Sequence, residues 1–330
     1  MGLLHLELSR TFNRPLKSTT FPFGLKSLVF GAEYNQPLDG VEFPPTLRQI
    51  KFGIWFNQCI ANTSFPRGLL SITFGTEFNQ SLDNVDFPPG LLSLQFGAYF
   101  VQKLNGVTFP ESLLKLTFGD RWNHSLDDTH LPMGIQILTF GLRFNQSLDN
   151  TVLPYELVEL TFGENFNQSL RKVTLPHGLR VLKFGHCFTQ DLTNTYLPSG
   201  IRSLTFGAHF NHPIDNVRLP LDLEVLTFGY NFNQNLDRVD FPDGLQEITF
   251  GDGYTHNINK IKFPKRLERL TFGHKMHQSL ENTNNLPCMP RPTPPKRQRI
   301  ATQTDAKREM WMQPKSEMKV EPNSEMYSDL

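Results

Sequence analysis

Carboxylates return at one slot along the chain: Asp39, Asp83, Asp127, Asp149, Asp215 and Asp237. Neighbouring copies such as Asp127 and Asp149, or Asp215 and Asp237, stand 22 residues apart. In stacked strands such neighbours lie about 5 Å apart, the separation of a retaining glycosidase pair. The same residues sit in Asp-Asn or similar turn sequences, where short polar side chains bond their own backbone. The carboxylates are spread evenly and no pair stands out, so the turn reading is preferred. His124, His212 and His256 share another slot, where Gln stands in most copies. An imidazole there imitates the hydrogen bonds of an amide. His256, His274 and His277 form the one histidine group near an end that could hold a metal, but no cysteine joins them and no helical i,i+4 frame holds them. No Gly-rich phosphate loop, serine elbow or HExxH motif is present, and Gly251-Asp252-Gly253 lacks the third glycine of a dinucleotide fingerprint. No cofactor or metal is expected, and no enzymatic activity.

The elements that must position these residues follow from a 22-residue period. Prolines fall at Pro22, Pro44, Pro66, Pro88 and onward to Pro264, and each is followed nine residues later by the glycine of a Phe-Gly step, from Gly31 to Gly273. A period of this length specifies a solenoid. In the copy from Pro88 to Phe109, Leu91, Leu94 and Phe96 are apolar, and the last two are two residues apart, as on the buried face of a strand. Between them runs a column dominated by Thr (Thr73, Thr117, Thr139, Thr161, Thr205, Thr227, Thr249, Thr271), whose branched polar side chain suits the outward face. One short parallel strand per repeat is therefore predicted, in a mostly β array of about twelve repeats. The glycine after Phe is predicted to end the strand in a turn, in a backbone conformation closed to residues with a Cβ. Phe56, Phe78, Phe100 and their equivalents form a second apolar row, and Leu82, Leu104, Leu126 and theirs a third. Asn13, Asn35, Asn57, Asn79, Asn123, Asn145, Asn167, Asn211 and Asn233 form a polar column that should bond the backbone of adjacent turns. Val101, Thr189, Thr255 and His277 interrupt it, and those layers should be less well satisfied.

The segment Phe74-Gly75-Thr76-Glu77-Phe78-Asn79-Gln80-Ser81-Leu82 and its copies resemble FNIP repeats, a family related to leucine-rich repeats. The resemblance spans roughly residues 1–285 and implies a leucine-rich-repeat-like solenoid used for protein interaction. Many members carry an F-box before the repeats and serve as substrate receptors of ubiquitin ligases. Here Gly2-Leu3 already occupies the slot of Gly24-Leu25, so the alternative role is that of a substrate-recognition subunit without its own F-box. The start lies inside a repeat, with Leu8 and Ser9 in the Phe and Gly slots, which leaves three readings open: a degenerate cap, an end covered by a partner, or a shortened sequence.

A solenoid offers a long surface and seldom a deep pocket, so binding to a protein partner is the leading function. One outward column reads Lys26, Arg48, Leu70, Leu92, Leu114, Gln136, Val158, Arg180, Arg202, Glu224, Gln246, Glu268. Its apolar run of Leu70, Leu92 and Leu114, with Arg180 and Arg202 further on, is one candidate recognition surface. Just past the glycines lie Trp55, Tyr99, Arg121, Arg143, His209 and Tyr230, whose varied identity at a fixed place marks a second. The 32 basic and 32 acidic residues cancel, so neither nucleic acid nor an anionic membrane is expected as a partner. No signal peptide or membrane-spanning run is visible. The three cysteines, Cys59, Cys187 and Cys288, suggest no disulfide framework. Asn79, Asn123, Asn145 and Asn167 lie in Asn-x-Ser sequons yet belong to the inward ladder, which points to a cytoplasmic or nuclear protein.

Beyond the array, residues 286–330 read as a disordered tail. It opens with prolines at 287, 290, 292, 294 and 295 and continues with Lys296-Arg297-Gln298-Arg299, a cluster suited to an import receptor. Met318-Lys319-Val320-Glu321 resembles a SUMO acceptor, and Ser328-Asp329-Leu330 fits a terminal PDZ ligand. Replacing Lys296, Arg297 and Arg299 together with Ala is expected to move a tagged protein out of the nucleus. Unchanged localisation by microscopy would refute the signal.

Overall fold

The computed structural model describes residues 2–278. The tail, Cys288 and the cluster Lys296, Arg297 and Arg299 lie outside the described residues. Thirteen strands, β1 (His5–Glu7) to β13 (Arg269–Thr271), form one parallel sheet in strict sequence order. Each strand has three residues, and its centre points inward. In β4 (Ser71–Thr73), β5 (Ser93–Gln95) and β6 (Lys115–Thr117), the central Ile72, Leu94 and Leu116 are fully buried while their neighbours face out. Register never slips: Ser71 pairs with Ser93, and Leu94 with Leu116. Layer n denotes the turn that contains strand βn.

Three tight turns complete each layer. In layer 5, the Leu91 N–H donates to the Pro88 carbonyl at 3.0 Å, Phe100 to Gly97 at 3.2 Å, and Val107 to Leu104 at 3.1 Å. Proline belongs at the first turn because its missing N–H faces no ladder there. The turn carrying the recurrent Asp is held by the residue two before it: the N–H groups of Asp83, Asp127 and Asp149 donate to the hydroxyls of Ser81, Ser125 and Ser147. In these turns the backbone bond is thus accepted by the serine and not by the carboxylate that the Asp-Asn reading supposed, while Asp83 accepts the Ser81 hydroxyl.

The glycine after Phe differs from expectation. Among the described residues only Gly40, Gly106 and Asn84 have positive φ, and all three sit in the Asp turn. The Phe-Gly glycine is required for another reason. A Cβ at Gly75 would overlap the Gly53 carbonyl oxygen, and a Cβ at Gly97 the Gly75 oxygen, a relation repeated from layer to layer. The backbones stack there too closely for any side chain.

Two aromatic ladders fill the core. Phe74 and Phe78 of one layer stack with ring centroids 3.9 Å apart, while Phe78 meets Phe100 of the next layer at 6.1 Å, the planes nearly parallel. On the return side, Phe87 and Phe109 stand 6.3 Å apart. Hydrogen bonds hold the strands about 4.8 Å apart, whereas offset ring stacking holds the opposite wall wider. The array therefore curves with its strands on the inner side.

Beside the rings runs the asparagine ladder. The Asn57 N–H donates to Asn35 Oδ1 at 2.9 Å, and Asn79 to Asn57 at 2.9 Å. Gln80 Nε2 adds a second bond to the same Asn57 oxygen at 3.0 Å. Val101 still donates its N–H to Asn79 but has no amide oxygen to hand on. In the layer after it, His124 turns to the Val101 carbonyl at 2.7 Å, in the manner of the glutamine amides. Thr189 and Thr255 add their hydroxyls to the ladder.

Tyr34 and Tyr254 take Phe places near the two ends, buried, with hydroxyls that have no hydrogen-bond partner. Burial pushes the Tyr34 phenol up to about 12. Burial, then the charge of Asp237, raises Tyr254 well above the usual phenol range. An unfolded tyrosine ionises near pH 10. The stability tied to these neutral phenols is therefore complete below about pH 10 and is lost as pH rises through the folded values. Tyr34→Phe with Tyr254→Phe is expected to raise stability by about 1 kcal/mol at neutral pH and to flatten the loss above pH 10, read by urea unfolding at several pH values. Gly97→Ala, in contrast, is expected to cost about 3 kcal/mol or more. A urea midpoint equal to that of the parent would contradict the close-approach explanation.

Candidate functional site

The outward strand face over layers 3 to 7 is a shallow trough with two unlike rims. Its floor is polar, made by the outward residues of β4, β5 and β6: Ser71, Thr73, Ser93, Gln95, Lys115 and Thr117. Along the entry side of the strands stand Leu70, Leu92 and Leu114. Backbone bonds hold them in line, Leu92 N–H to Leu70 O and Leu114 N–H to Leu92 O at 2.9 Å. They remain 38%, 37% and 37% exposed, three aliphatic side chains in register on three layers. Water gains nothing by solvating such a ridge, so covering it is favourable.

The opposite rim follows the Phe-Gly turn. Trp55 is 57% exposed and Ile54 beside it is also open to solvent. Two layers on, the Tyr99 ring carries the Arg121 guanidinium of the next layer 3.7 Å from its centre, a cation–π contact that orients both groups. Arg143 follows in layer 7, exposed, its N–H bonded to the Asp120 carbonyl. Between rim and floor lies a cleft of about 390 Å³, lined by Lys51, Ile54, Thr73, Gln95, Thr117 and Asp120.

The remaining sequence candidates stand in later layers, and Arg180, Arg202 and His209 are engaged with the array itself. Arg180 Nη1 donates to the Gly200 carbonyl at 3.0 Å, as Arg48 does to Gly68. A Cβ at either glycine would overlap that guanidinium, so these arginines brace successive layers. Arg202 pairs with Glu224 at 3.5 Å. His209 meets His186 edge to face, centroids 5.3 Å apart. Tyr230 is half exposed. The structure thus brings Trp55, Leu70, Leu92, Tyr99, Leu114, Arg121 and Arg143 to one trough and sets Arg180, Arg202, His209 and Tyr230 apart from it.

Charge pairing across layers is what the sequence reading missed. Besides Arg202 with Glu224, Lys183 bonds Glu159 at 2.9 Å and Arg269 reaches Glu247 at 3.2 Å. Each pair joins outward strand-side positions of adjacent layers. Comparing residues about one period apart for opposite charge would have found all three.

Asp127 accepts the Thr151 hydroxyl at 3.1 Å, and both Asp127 and Asp149 face solvent. Asp252 accepts the backbone N–H and the ring of His274, which together hold its carboxyl below the usual range. Among the described residues no three His, Cys, Asp or Glu side chains are grouped to hold a metal ion, and no helix is long and apolar enough to cross a membrane.

A family model described as FNIP Repeat matches residues 12–53, 34–77, 78–121, 122–165, 166–209, 188–231, 210–239 and 232–275. Among solved structures, the giant-virus protein CroV588, described as a novel circular LRR protein, is 34% identical with a TM-score of 0.72. The alignment covers 82% of this chain but 46% of CroV588, so the chain spans about half the length of that relative. A leucine-rich repeat protein from Bacteroides ovatus also matches, at 13% identity, over 81% of this chain and 83% of its own. Its TM-score of 0.27 lends no weight to any comparison. No curated protein matches the chain.

Proposed function

Because the chain belongs to the FNIP repeat family, we propose that it is a non-catalytic scaffold whose open strand face binds one protein partner over layers 3 to 7. The observation that carries this reading is the contrast between the two halves of that face. In layers 8 to 13 three pairs of outward charges are matched within the array, Glu159 with Lys183, Arg202 with Glu224 and Glu247 with Arg269. In layers 4 to 6 an aliphatic ridge and an aromatic–arginine rim face each other across a polar floor. An apolar strip beside polar groups that can form new hydrogen bonds is the composition of an interface core with its rim. Trp55, Tyr99 and Arg121 are of the residue types that anchor such contacts. Arg121 and Arg143 favour acidic groups on the partner at that side, while Leu70, Leu92 and Leu114 take an apolar strip at the other. The even spread of carboxylates through turns, where Asp127 and Asp149 serve layer after layer alike, supports a binding role over a catalytic one. The ladder bonds at Asn79, Asn145 and Asn167 support a compartment without N-glycosylation, the cytosol or nucleus, since a glycan there would displace packed amides.

The full chain, used as bait in native cells, is expected to retain one partner in stoichiometric amount. Leu92→Asp with Tyr99→Ala should weaken that partner's binding by about a hundredfold, as loss of central anchors does. Tyr230→Ala, in a later layer, should leave it within about twofold, as a residue outside the interface does. A partner kept by the first variant and lost by the second would place the interface elsewhere.

A further inference from the structure

The return side, opposite the strands, carries a break in its own pattern. The residue before each proline is Phe21, Phe43, Phe65, Phe87 and Phe109 in the first copies. It then becomes Leu131, Leu153, Leu175, Leu197 and Leu219, and reverts to Phe241 and Phe263. Leucine is shorter than phenylalanine, and two clefts lie within the leucine run. One, of about 500 Å³, is lined by Leu153, Leu175, Val152, Tyr155 and His177. The other, of about 590 Å³, is lined by Leu197, Leu219, Tyr196 and Leu221. Large apolar side chains turn outward in the same run: Val152 is 71% exposed, Tyr155 65%, Tyr196 62% and Leu221 76%. Elsewhere on the described return side only Phe23 is comparably open. His177 and Tyr196 meet edge to face at 6.2 Å, forming a ridge between the clefts.

We propose that this face binds an extended, basic peptide segment of a partner protein, with two apolar side chains four residues apart seated in the two clefts. The spacing comes from the array. The clefts are two layers apart, and the return-side spacing of 6.3 Å per layer sets them roughly 13 Å apart, the length of four extended residues at about 3.3 Å each. Side chains four apart in an extended chain point to the same side, so the backbone crosses the His177–Tyr196 ridge between them. The charge of the segment comes from the rim. Asp149, Asp215 and Asp240 line the clefts, and exposed Glu156 and Asp222 adjoin Tyr155 and Leu221, against Lys172 and Arg218 alone among the lining bases. Nearby Arg171 is already paired with Asp191 at 2.9 Å. This surface is separate from the strand-face trough, and the inference does not rest on the function proposed for it.

The test uses the full chain and labelled nine-residue peptides, each with Lys at both ends, Thr and Ser between, and two Leu placed three, four or five residues apart. Fluorescence anisotropy is expected to give saturable binding below about 1 mM, a weak but specific range, tightest for the four-residue spacing and weakened by salt. Leu175→Phe with Leu197→Phe restores two places of the ring column of the other repeats and fills each cleft from one side; it should weaken binding about tenfold or more. Tyr155→Ser with Tyr196→Ser, which changes only exposed groups, should do the same. No saturable binding at about 1 mM, equal binding at all three spacings, equal binding when Glu replaces the terminal Lys, or binding unchanged by both variants would each overturn the proposal. Self-association of the parent that is lost in the filled variant would assign the face to a second copy instead, and would overturn it as well.

Discussion

A methyl group on Gly75 would collide with the Gly53 carbonyl, and the same collision recurs along the column of Phe-Gly steps. Successive backbones touch at this corner, and the rest of the array depends on that contact. It sets the strands at hydrogen-bonding distance and brings Phe74 and Phe78 of one layer face to face at 3.9 Å. It also places each Asn amide oxygen under the N–H of the next layer. A solenoid stacked on such a contact has little freedom to slip, because a one-residue shift would put a side chain where only hydrogen fits. The length of the repeat is thereby held at 22 residues without a single insertion between Pro22 and Gly273.

The two columns beside the glycine divide the work of folding. The rings supply burial, roughly 1.5–3 kcal/mol for each fully buried Phe, but stacked rings tolerate sliding. The asparagines supply register. The Asn57 amide oxygen accepts two bonds from the following layer, one from backbone and one from glutamine, and a slipped layer would leave these half-buried polar groups without those partners. Val101 shows how much of this the fold can spare. One layer receives a ladder bond and passes none on, and His124 and the Trp122 indole, which bond the Val101 and Gln102 carbonyls, tie the two layers together.

The period, the one strand per repeat, the ring columns and the asparagine ladder were all legible in the sequence, because each is a residue type recurring at a fixed interval. What was not legible depends on contacts between layers. Glycine suggested a turn conformation closed to other residues, since the sequence records the missing side chain but not the carbonyl that forbids it. The Asp in the turns suggested a carboxylate acceptor for the turn's backbone, whereas the serine two residues earlier accepts that N–H. Arg180 and Arg202 looked like free surface groups, and only the layer spacing shows the Gly200 carbonyl and Glu224 within their reach. The change from Phe109 to Leu131 and back at Phe241 stood in the sequence throughout. It was easy to pass over because leucine satisfies the same apolar pattern. Only the volume left beside it distinguishes the two.

A repeat array can vary its surface without disturbing its core, because each layer contacts only its neighbours. The variation in this chain is not scattered. On the strand face, Leu70, Leu92 and Leu114 occupy consecutive layers. On the return side, the leucine run also occupies consecutive layers, but in a buried column, where it changes the surface only through the clefts beside it. Runs of like residues over three to five layers span roughly 15–30 Å at strand and ring spacings, the scale of a binding partner rather than of a single side chain. The strand-side run sits on the inner curve, where side chains of adjacent layers converge on a rounded surface. The return-side run sits on the outer curve, where layers splay and leave clefts for separate side chains. The same curvature that follows from unequal spacing of strands and rings therefore gives the two faces different shapes: the inner one would suit the convex protein surface proposed for it, and the outer one the proposed extended segment.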